Sequence, residues 1–384
     1  MAEVSLLRCG GYAPGELKER IIEGFEGCRF PLKSFHGTRV VLKPNLLSAA
    51  GPESGIVTHP GFFRAAAEIV IDHGGRPVLA ESPAVASLHH ALRTTGYDEI
   101  LKHLGIPVAD LSRVARISYP EAKRFKTFEI AHAFFDAEVI VNLPKFKTHG
   151  LTYVTASVKN LFGAVPGMRK SQLHMKLPKR EEFCEAILDL YGAFLKGFHP
   201  GKPLVHLMDA VVALEGNGPG TGGRPRKMGA VITGTDGLAV DWVATCVSGL
   251  NPRLSPILVL GFLRGLGVSS EQEIEVVGRQ IEDMRIEGFV PASGPGMTGI
   301  IGVPLIKTLL NKLFVGKPVA KEDRCSLCYQ CMKICPVQAI EKAPAGVNMP
   351  QFDYDACIRC FCCLEVCPQD ALSIRRGMLQ RFLR

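Results

Sequence analysis

Two runs of cysteine near the carboxyl end of the chain constrain its fold more than any other feature of the sequence. The first run reads Cys325-x-x-Cys328-x-x-Cys331-x-x-x-Cys335-Pro336, and the second reads Cys357-x-x-Cys360-x-x-Cys363-x-x-x-Cys367-Pro368. The second run repeats the first at a distance of 32 residues. Each run has the complete spacing by which two-cluster ferredoxins bind 4Fe–4S clusters. The sequence therefore predicts two 4Fe–4S clusters in a small domain with an internal repeat.

The spacing also predicts which thiolates share a cluster. Three cysteines, each three positions after the last, wrap three corners of one cubane, whereas the fourth, followed by proline, reaches the other cubane. The first cluster is expected on Cys325, Cys328, Cys331 and Cys367, and the second on Cys357, Cys360, Cys363 and Cys335. Zinc is the alternative ligand, but a zinc site takes four ligands, usually as two separated cysteine pairs.

The remaining cysteines and the amino terminus indicate the compartment. Cys362 lies outside the pattern, and Cys9, Cys28, Cys184 and Cys246 are predicted to be plain buried residues in apolar segments. A total of 13 cysteines, eight of them in two runs, does not suit a secreted disulfide scaffold. No signal peptide or membrane-spanning helix is recognisable. We expect reduced thiols in the cytoplasm and clusters that require anaerobic handling.

One long stretch of the chain carries charge of a single sign. From Val139 to Arg180 there is no Asp or Glu. The same stretch contains Lys145, Lys147, Lys159, Arg169, Lys170, Lys176, Lys179 and Arg180. A patch of one sign raises the local concentration of an oppositely charged partner. That partner is a small anionic substrate, a nucleic acid or a membrane surface.

Residues 1 to about 285 alternate short β-branched runs with helical patterns. The predicted strands are Thr38–Lys43, Arg76–Ala80, Glu138–Leu143, Leu204–Ala213, Met228–Thr233 and Glu273–Val277. The predicted helices are Pro14–Gly27, Pro60–His73, Ser87–Thr95, Lys179–Leu195 and Leu238–Ser248. Such alternation predicts an α/β fold in which helices cover a mainly parallel sheet, with a small C-terminal α+β ferredoxin-like domain after it.

Polar motifs follow five of the predicted strands. They are Lys43-Pro44-Asn45, Glu81-Ser82-Pro83, Pro144 to His149, Glu215 to Gly220, and Thr235-Asp236. In an open parallel sheet the carboxyl ends of the strands share one edge, where ligands bind. The motifs therefore predict one common cleft. Asp236 also suits the N-cap of the next helix.

The glycine-rich segment Gly218 to Gly223 matches G-x-G-x-x-G, but Arg224-Pro225-Arg226 follows it instead of a helix. The dinucleotide fingerprint requires that helix, because its N-terminus holds the pyrophosphate. Nicotinamide binding is therefore not predicted, and the chain has no P-loop motif. Binding of an anion by backbone N–H groups of this loop stays open.

Residues 286 to 322 differ in character from the segments on both sides. The part from Phe289 to Gly299 is rich in Pro and Gly, and residues 300–315 are mostly apolar with Pro304 among them. This segment is predicted to pack as a helix on one of the domains, or alternatively to make peripheral contact with a membrane surface. The predicted domains are thus 1–285, a linker 286–322, and 323–377.

The central motif of the chain resembles that of a known family. Asn142-Leu143-Pro144-Lys145-Phe146-Lys147-Thr148-His149, followed by Lys159-Asn160-Leu161-Phe162-Gly163, looks like the hallmark of domain of unknown function 362, also called iron–sulfur centre protein. Lys43-Pro44-Asn45, Thr58-His59-Pro60, Gly216-Asn217-Gly218-Pro219 and Thr235-Asp236 with Asp241 resemble its other recurring positions. The resemblance implies an α/β domain fused to a double ferredoxin module, and it implies little about the reaction.

The leading hypothesis is an iron–sulfur reductase. Electrons from a soluble donor protein would pass through the clusters to a small anionic substrate in the cleft. Ammonium groups act as point charges for a carboxylate or phosphate. The predicted substrate ligands are Lys43, Lys145, Lys147 and Lys159, with Asn45, Asn142, Asn160 and Asn217 for orientation. The predicted proton donors are His149 and then His59, with Lys145 beside them as a catalytic candidate.

Two other functions stay open. The protein is alternatively a non-enzymatic electron carrier or maturation partner, whose large domain binds a client. It is also alternatively an anion-binding enzyme without net redox chemistry, whose clusters are regulatory. A nucleic-acid role is not favoured, because no recognised binding module is present and few aromatic residues interleave the basic stretch.

Overall fold

The computed structural model describes residues 1–83, 88–167, 177, 179–198, 201–292, 317–335, 337–357 and 362–375. Its strands up to residue 292 are β1 (Ala2–Arg8), β2 (Arg39–Pro44), β3 (Arg76–Leu79), β4 (Val114–Ser118), β5 (Thr127–Ala131), β6 (Val139–Leu143), β7 (Lys145–His149), β8 (Tyr153–Thr155), β9 (Leu204–Gly216), β10 (Gly223–Gly234) and β11 (Ile274–Gly278). The helices there are α1 (Pro14–Gly27), α2 (Pro60–Asp72), α3 (Leu88–Thr95), α4 (Tyr97–Leu104), α5 (Ala133–Asp136), α6 (Ser157–Asn160), α7 (Arg180–Lys196), α8 (Gly237–Val247), α9 (Pro256–Leu263) and α10 (Ile281–Met284). Short 3-10 turns occupy Leu32–Phe35, Pro52–Ser54, Leu161–Ala164, Pro252–Leu254 and Glu271–Glu273.

One nine-stranded sheet organises this α/β unit. Its strand order is β11-β1-β10-β9-β6-β2-β3, and β7 extends it by pairing with both β9 and β8. Strands β2, β3, β6, β7 and β9 are parallel to one another, and β1 and β11 run the same way because both are related to β9 through the antiparallel β10. Within the described sheet only β8 and β10 run the opposite way. The prediction of a mainly parallel sheet covered by helices is confirmed.

The direction of β10 corrects one part of the predicted cleft. Because β10 is antiparallel to β9, with Gly234 opposite His206, its carboxyl end lies at the other edge of the sheet. Asp236 therefore does not join the other motifs. Its side chain instead accepts hydrogen bonds from the N–H groups of Leu238 and Ala239 and caps α8, as the capping prediction stated.

Both faces of the sheet are buried under helices. On β2, Val40 and Leu42 belong to the core that contains α1 and α2, whereas Val41 belongs to the core that contains α7 and α8. Side chains of a strand alternate between faces, so a run that is apolar at every position indicates burial on both sides. This pattern produces three layers, with the ends of the parallel strands as the open edge.

The helices begin where sequence signals place them. In α1, Pro14 occupies the first turn, and Leu17, Ile21 and Phe25 recur every four residues on the buried face. In α2, the imidazole of His59 accepts from the N–H of Gly61 as N-cap, and Pro60 follows it. The predicted bounds of the five helices agree with the structure to within two residues, except that Ser87 lies outside the described residues.

Several strands were not predicted from the sequence. They include β1, the β4–β5 hairpin, and β7 and β8, which contain the segment interpreted as a cationic loop. The β7 segment Lys145–His149 continues the line of β6 beyond Pro144 and pairs with the distal half of β9. Tertiary pairing with β9 therefore gives β7 its extended conformation although Lys alternates with Phe and Thr there.

The segment assigned to the linker divides into two parts. The described residues up to 292 pack on the α/β unit: Phe289 is buried in its core, and the backbone N–H of Gly216 donates to the carbonyl of Val290 at 2.7 Å. The apolar segment 300–315 lies outside the described residues. No described helix is long and apolar enough to cross a membrane.

The C-terminal unit is small and internally repeated. Its elements are β12 (Lys317–Ala320), α11 (Gln330–Ile334), β13 (Ile340–Glu341), β14 (Gln351–Phe352), α12 (Cys362–Glu365) and β15 (Leu372–Arg375). Strand β12 pairs antiparallel with β15, so this unit begins about six residues before the predicted boundary at 323. Helix α12 follows α11 at the 32-residue period of the cysteine runs, and the small α+β domain is present as predicted.

Candidate functional site

Two buried lysine–carboxylate pairs lie at the carboxyl edge of the parallel strands. Lys43, near the end of β2, has no exposed surface, and its ammonium group contacts Oε2 of Glu81, which follows β3. Burial lowers the pKa of Lys43, and the charge and hydrogen bond of Glu81 act in the opposite direction. A charge withdrawn from water needs such a partner. Lys43 is thus already paired within the protein.

The second pair includes a tyrosine that the sequence did not single out. Nζ of Lys145 lies 2.8 Å from Oδ2 of Asp209 and 2.8 Å from the hydroxyl of Tyr12. That hydroxyl donates to Oδ1 of Asp209 at 3.0 Å, which closes a triangle of ammonium, phenol and carboxylate. Burial lowers the pKa of Lys145 and raises that of Tyr12, and the charge of Asp209 raises the pKa of both.

His59 covers this triangle from the solvent side. Its ring stacks on that of Tyr12, with centroids 3.6 Å apart, and its backbone N–H donates to Asp209 at 2.9 Å. Nδ1 accepts from Gly61, which leaves Nε2 facing the exposed Glu53 at 3.6 Å. Burial lowers the pKa of His59, so the neutral ring is favoured. The ring stacks on the phenol without a hydrogen bond to its hydroxyl.

A chain of amide side chains runs from the edge into the sheet. Lys147 donates to Oδ1 of Asn45, Nδ2 of Asn45 donates to Oδ1 of Asn160, and Nδ2 of Asn160 donates to Oδ1 of Asn142. Nδ2 of Asn142 donates in turn to Nδ1 of His206 at 2.9 Å. Every amide oxygen points toward the ammonium, so the dipoles align with its charge.

His206 ends the chain in a neutral state. Burial lowers its pKa to about 3, and acceptance by Nδ1 leaves the ring proton on Nε2. The structure therefore brings together seven of the predicted residues, and most of their polar groups form hydrogen bonds with other groups of the protein. These are Lys43, Asn45, His59, Asn142, Lys145, Lys147 and Asn160.

His149 lies at the end of β7 and is buried. Its Nδ1 accepts from the backbone N–H groups of Leu151 and Thr152, at 2.9 and 3.3 Å, so the ring shapes the turn into β8. The ring proton of neutral His149 is consequently on Nε2. The predicted role as proton donor stays a prediction, which the geometry restricts to that nitrogen.

Two predicted substrate ligands lie apart from the networks. Lys159 is half-buried on α6, close enough to the thiol of Cys184 to act on its pKa. Asn217 is exposed on the loop 217–222 between β9 and β10. Because β10 follows this loop, no helix N-terminus is present there for a pyrophosphate. The exclusion of the dinucleotide fingerprint agrees with this geometry.

The loop 217–222 also contacts the C-terminal unit. The hydroxyl of Thr221 donates to the backbone carbonyl of Cys367 at 2.9 Å. A Cβ atom at Gly222 would lie 3.5 Å from Oδ1 of Asp370, so these two segments of the chain pass close to one another. Cys367 is one of the predicted cluster ligands. The carboxyl edge of the sheet is thus linked directly to the cysteine-rich unit.

The four cysteines predicted for the first cluster share one cavity. This cavity is lined by Cys325, Cys328, Cys331 and Cys367, with Leu327, Tyr329, Leu372 and other residues around them. Burial, together with the three nearby thiols, raises the pKa of the Cys331 thiol to about 11. Across the described residues, no three His, Cys, Asp or Glu side chains are placed to hold a single metal ion. The four thiols that line the cavity are the number and kind of ligand that a 4Fe–4S cluster takes.

Three of the cysteines predicted for the second cluster are described, namely Cys335, Cys357 and Cys363, whereas Cys360 lies outside the described residues. Cys363 is buried, and Cys335 and Cys357 are half-buried. Of the four thiols predicted to be buried, Cys9, Cys28 and Cys184 are buried, whereas Cys246 is half-buried; Cys362, outside the pattern, is also buried. Burial raises the pKa of Cys184 to about 12 and that of Cys246 to about 11, which makes them inert thiols.

Comparisons with known proteins agree with this two-part organisation. Residues 40–246 match the family model described as a domain of unknown function (DUF362), and residues 324–371 match a 4Fe–4S dicluster domain. A thylakoid-associated protein from Synechocystis sp. is 33% identical over 273 residues, which are 70% of this chain and 81% of that protein.

Solved structures with a similar fold are more distant. The lactate racemase apoprotein from Thermoanaerobacterium thermosaccharolyticum is 13% identical with a TM-score of 0.39, over 65% of this chain and 58% of that one. A Thermotoga maritima protein is 12% identical with a TM-score of 0.38, over 64% and 61% of the two chains. The chain thus spans less than two thirds of either structure. The first family model, by contrast, matches more than half of this chain. The chain therefore belongs to the DUF362 family and carries a 4Fe–4S dicluster domain at its carboxyl end.

Proposed function

We propose that the protein is an oxidoreductase that passes electrons between two 4Fe–4S clusters and a small anionic substrate at the carboxyl edge of its sheet. The observation that carries the proposal is the hydrogen bond from Thr221 to the carbonyl of Cys367. It joins a predicted cluster ligand to the loop after β9, next to Gly216, whose carbonyl accepts from the hydroxyl of Thr148 on β7. Each cluster exchanges one electron, so two clusters suit a two-electron reduction without a nicotinamide.

The triangle of Lys145, Tyr12 and Asp209 is the proposed source of a proton. Its groups exchange hydrogen bonds at 2.8 to 3.0 Å away from bulk water. A reduction that adds electrons to an anion also needs protons, and a positioned acid supplies them. Burial has already lowered the pKa of Lys145, which makes its ammonium a better acid.

The pairing of the lysines changes how an anionic substrate would be held. Lys43 and Lys145 are neutralised by Glu81 and Asp209, so they contribute little net charge. Lys147 and Lys159 stay the proposed partners of the substrate anion. Lys147 is itself buried, and its Nζ donates to Oδ1 of the half-exposed Asn45 and to the carbonyl of Ile56. Backbone N–H groups of the loop 217–222 are further candidates.

The test follows cluster oxidation in the full chain, reconstituted and reduced anaerobically with dithionite. A panel of 2-oxo acids, enoates and phosphorylated acids is added, and the visible absorbance of the clusters is recorded in a stopped-flow instrument. We expect one class of acid to accelerate reoxidation. Lys147→Met should abolish saturation by that acid, whereas the control Lys179→Met, an exposed lysine of the same basic stretch, should not.

A second candidate function is that of an electron carrier or maturation partner. It is favoured by the amide and lysine groups of the α/β unit that hydrogen-bond to one another, and by the exposure of Cys328, which a protein partner can approach. If no acid in the panel reoxidises the clusters while an added ferredoxin does so rapidly, this function replaces the reductase.

Peripheral membrane contact belongs to the same proposal. The Synechocystis relative is named for its association with thylakoids. The segment predicted for such contact, residues 300–315, lies outside the described residues. Sedimentation of the full chain with anionic vesicles, compared with a chain in which residues 300–315 are replaced by a Gly/Ser linker, tests this part separately.

A further inference from the structure

The two halves of the dicluster unit place their fourth cysteines in matching turns. Sγ of Cys335 accepts from the N–H of Ala339 at 3.3 Å, and Sγ of Cys367 accepts from the N–H of Ala371 at 3.2 Å. The carbonyl of Cys335 accepts from the N–H of Gln338, as that of Cys367 accepts from Asp370. Gln338 and Asp370 both have positive φ, +53° and +46°. From the hydrogen bonds within these turns alone, the two cysteines would give their clusters equal reduction potentials.

The α/β unit breaks this symmetry at one half only. The hydroxyl of Thr221 donates to the carbonyl of Cys367, which therefore accepts two hydrogen bonds. For the carbonyl of Cys335, the hydrogen bond that the described residues show is the one from the N–H of Gln338. Arg324 also lies 3.3 Å from Asp370 in the turn after Cys367, whereas Gln338 occupies the matching position after Cys335. The charges of Arg324 and Asp370 offset one another, so the difference between the halves is the extra hydrogen bond from Thr221 to the carbonyl of Cys367.

Hydrogen bonds and nearby charge set the reduction potentials of iron–sulfur clusters. A donor on the peptide carbonyl of a ligand draws electron density from that residue, and so favours the cluster state with one more electron. The same contact offers a bonded route from a predicted cluster ligand to the loop at the edge of the sheet. It consists of the Cys367 side chain, its carbonyl and one hydrogen bond to Thr221.

We infer that the two clusters have different roles, and that the one bound by Cys325, Cys328, Cys331 and Cys367 exchanges electrons with the α/β site. Thr221 is the positioning residue that raises the potential of this cluster above that of its twin. In the reductive direction, the cluster that these four cysteines would hold would supply single electrons to the acceptor, and the second cluster would replenish them. The assignment of direction rests on the proposed function, but the difference in potential does not.

The experiment is an EPR-monitored redox titration of the full, anaerobically reconstituted chain without substrate. Thr221→Val removes the hydroxyl and keeps the shape of the side chain. Thr235→Val is the control, because Thr235 is exposed at the opposite edge of the sheet. Thr221→Ser should restore the wild-type value. For Thr221→Val we expect the reduced-to-oxidised ratio of the higher-potential cluster to fall up to about tenfold at a fixed potential, or about 59 mV for one electron.

A second pair of variants identifies the cluster that responds. Cys331→Ser should alter the spectrum of the higher-potential cluster, and Cys363→Ser that of the lower. Equal potentials in the wild type, a shift of the cluster altered by Cys363→Ser, or no shift with Thr221→Val would each overturn the inference. Failure of all acids to reoxidise the clusters would contradict the proposed reductase and leave these potentials standing.

Discussion

Lys43 and Lys145 lie without exposed surface at the carboxyl edge of the sheet, where Lys43 contacts Glu81 after β3 and Lys145 contacts Asp209 on β9. Glu81 is held tightly in its pair, because a Cβ atom at Gly163 would come within 3 Å of both its oxygens. A buried ion pair offsets a large desolvation cost, and removal of one partner leaves the other uncompensated. The two lysines that suggest anion binding in the sequence thus also stabilise the fold through buried ion pairs.

Lys43→Met should destabilise the α/β unit by about 3–5 kcal/mol, because Glu81 is then buried without its partner. The double variant Lys43→Met, Glu81→Gln should recover most of that loss. Urea unfolding followed by far-UV circular dichroism measures both, with the cluster absorbance as a separate signal. Equal losses in the single and double variants would show that the pair does not carry this energy.

Asp241 should make stability depend on pH. It is buried on α8 and accepts from the N–H groups of Ser157 and Val158, and burial raises its pKa to about 7 from 3.8. A raised carboxyl pKa means that the folded state binds the proton more tightly, so this contribution is lost as pH rises from about 4 to about 7.

As pH rises over that range, the free energy of unfolding of Asp241→Asn should increase relative to that of the wild type by roughly 4 kcal/mol, at 1.36 kcal/mol for each pKa unit. Comparison with the wild type is needed because His206, whose pKa is lowered to about 3, acts in the opposite direction. Urea unfolding of both proteins at several pH values measures this difference in free energy. A constant difference between the two proteins would contradict the shifted pKa.

At the scale of elements, close approach between helix and sheet depends on small residues at chosen positions. Helix α1 packs on the sheet through Leu17, Ile21 and Phe25, and Gly24 lies among them. A Cβ atom on Gly24 would lie 2.5 Å from Oγ1 of Thr233 on β10. Gly15, at the start of the same helix, has no heavy atom within 4 Å of its Cβ position.

Gly24→Ala should therefore destabilise the protein by about 1–3 kcal/mol through overpacking, although alanine is the better helix former. Gly15→Ala is the matched control and should be neutral or stabilising by up to about 1 kcal/mol. Urea unfolding compares them. A stabilised Gly24→Ala variant would mean that α1 can shift away from β10 at little cost.

At the scale of the whole molecule, two units that match different family models meet at one edge. The α/β unit places buried ion pairs at the carboxyl ends of β2, β3 and β6, and the dicluster unit contacts the loop between β9 and β10. The proposed electron transfer between them depends on the assembly of both clusters.

The anaerobically reconstituted chain should bind about eight irons, four for each cluster. Cys363→Ala should reduce this to about four, because one cluster loses a ligand while the other keeps its own set. Cys246→Ala is the control and should keep about eight. Colorimetric iron and sulfide assays measure all three. Loss of both clusters in Cys363→Ala would show that they assemble only together.

Sequence patterns predicted the elements better than the partners of the side chains. The helices at residues 14, 60 and 237 begin with proline or a capping residue, which are local signals. Strand β7 was missed, because its lysines read as a surface loop and only pairing with β9 extends it. No sequence pattern indicated that Tyr12 belongs to the site, because β1, the strand before it, was not predicted.

The sequence by itself determined the α/β class and the presence of a dicluster domain, and it predicts the cysteine ligands. Both depend on spacing over a few residues, where thiolates must reach one cubane and apolar residues must cover a sheet. Tertiary structure alone decided that β10 runs backward, that Glu81 and Asp209 neutralise the lysines, and that Thr221 touches Cys367. These contacts join residues 38 to 146 positions apart. No local pattern encodes such pairs, because they form only when distant strands pack side by side.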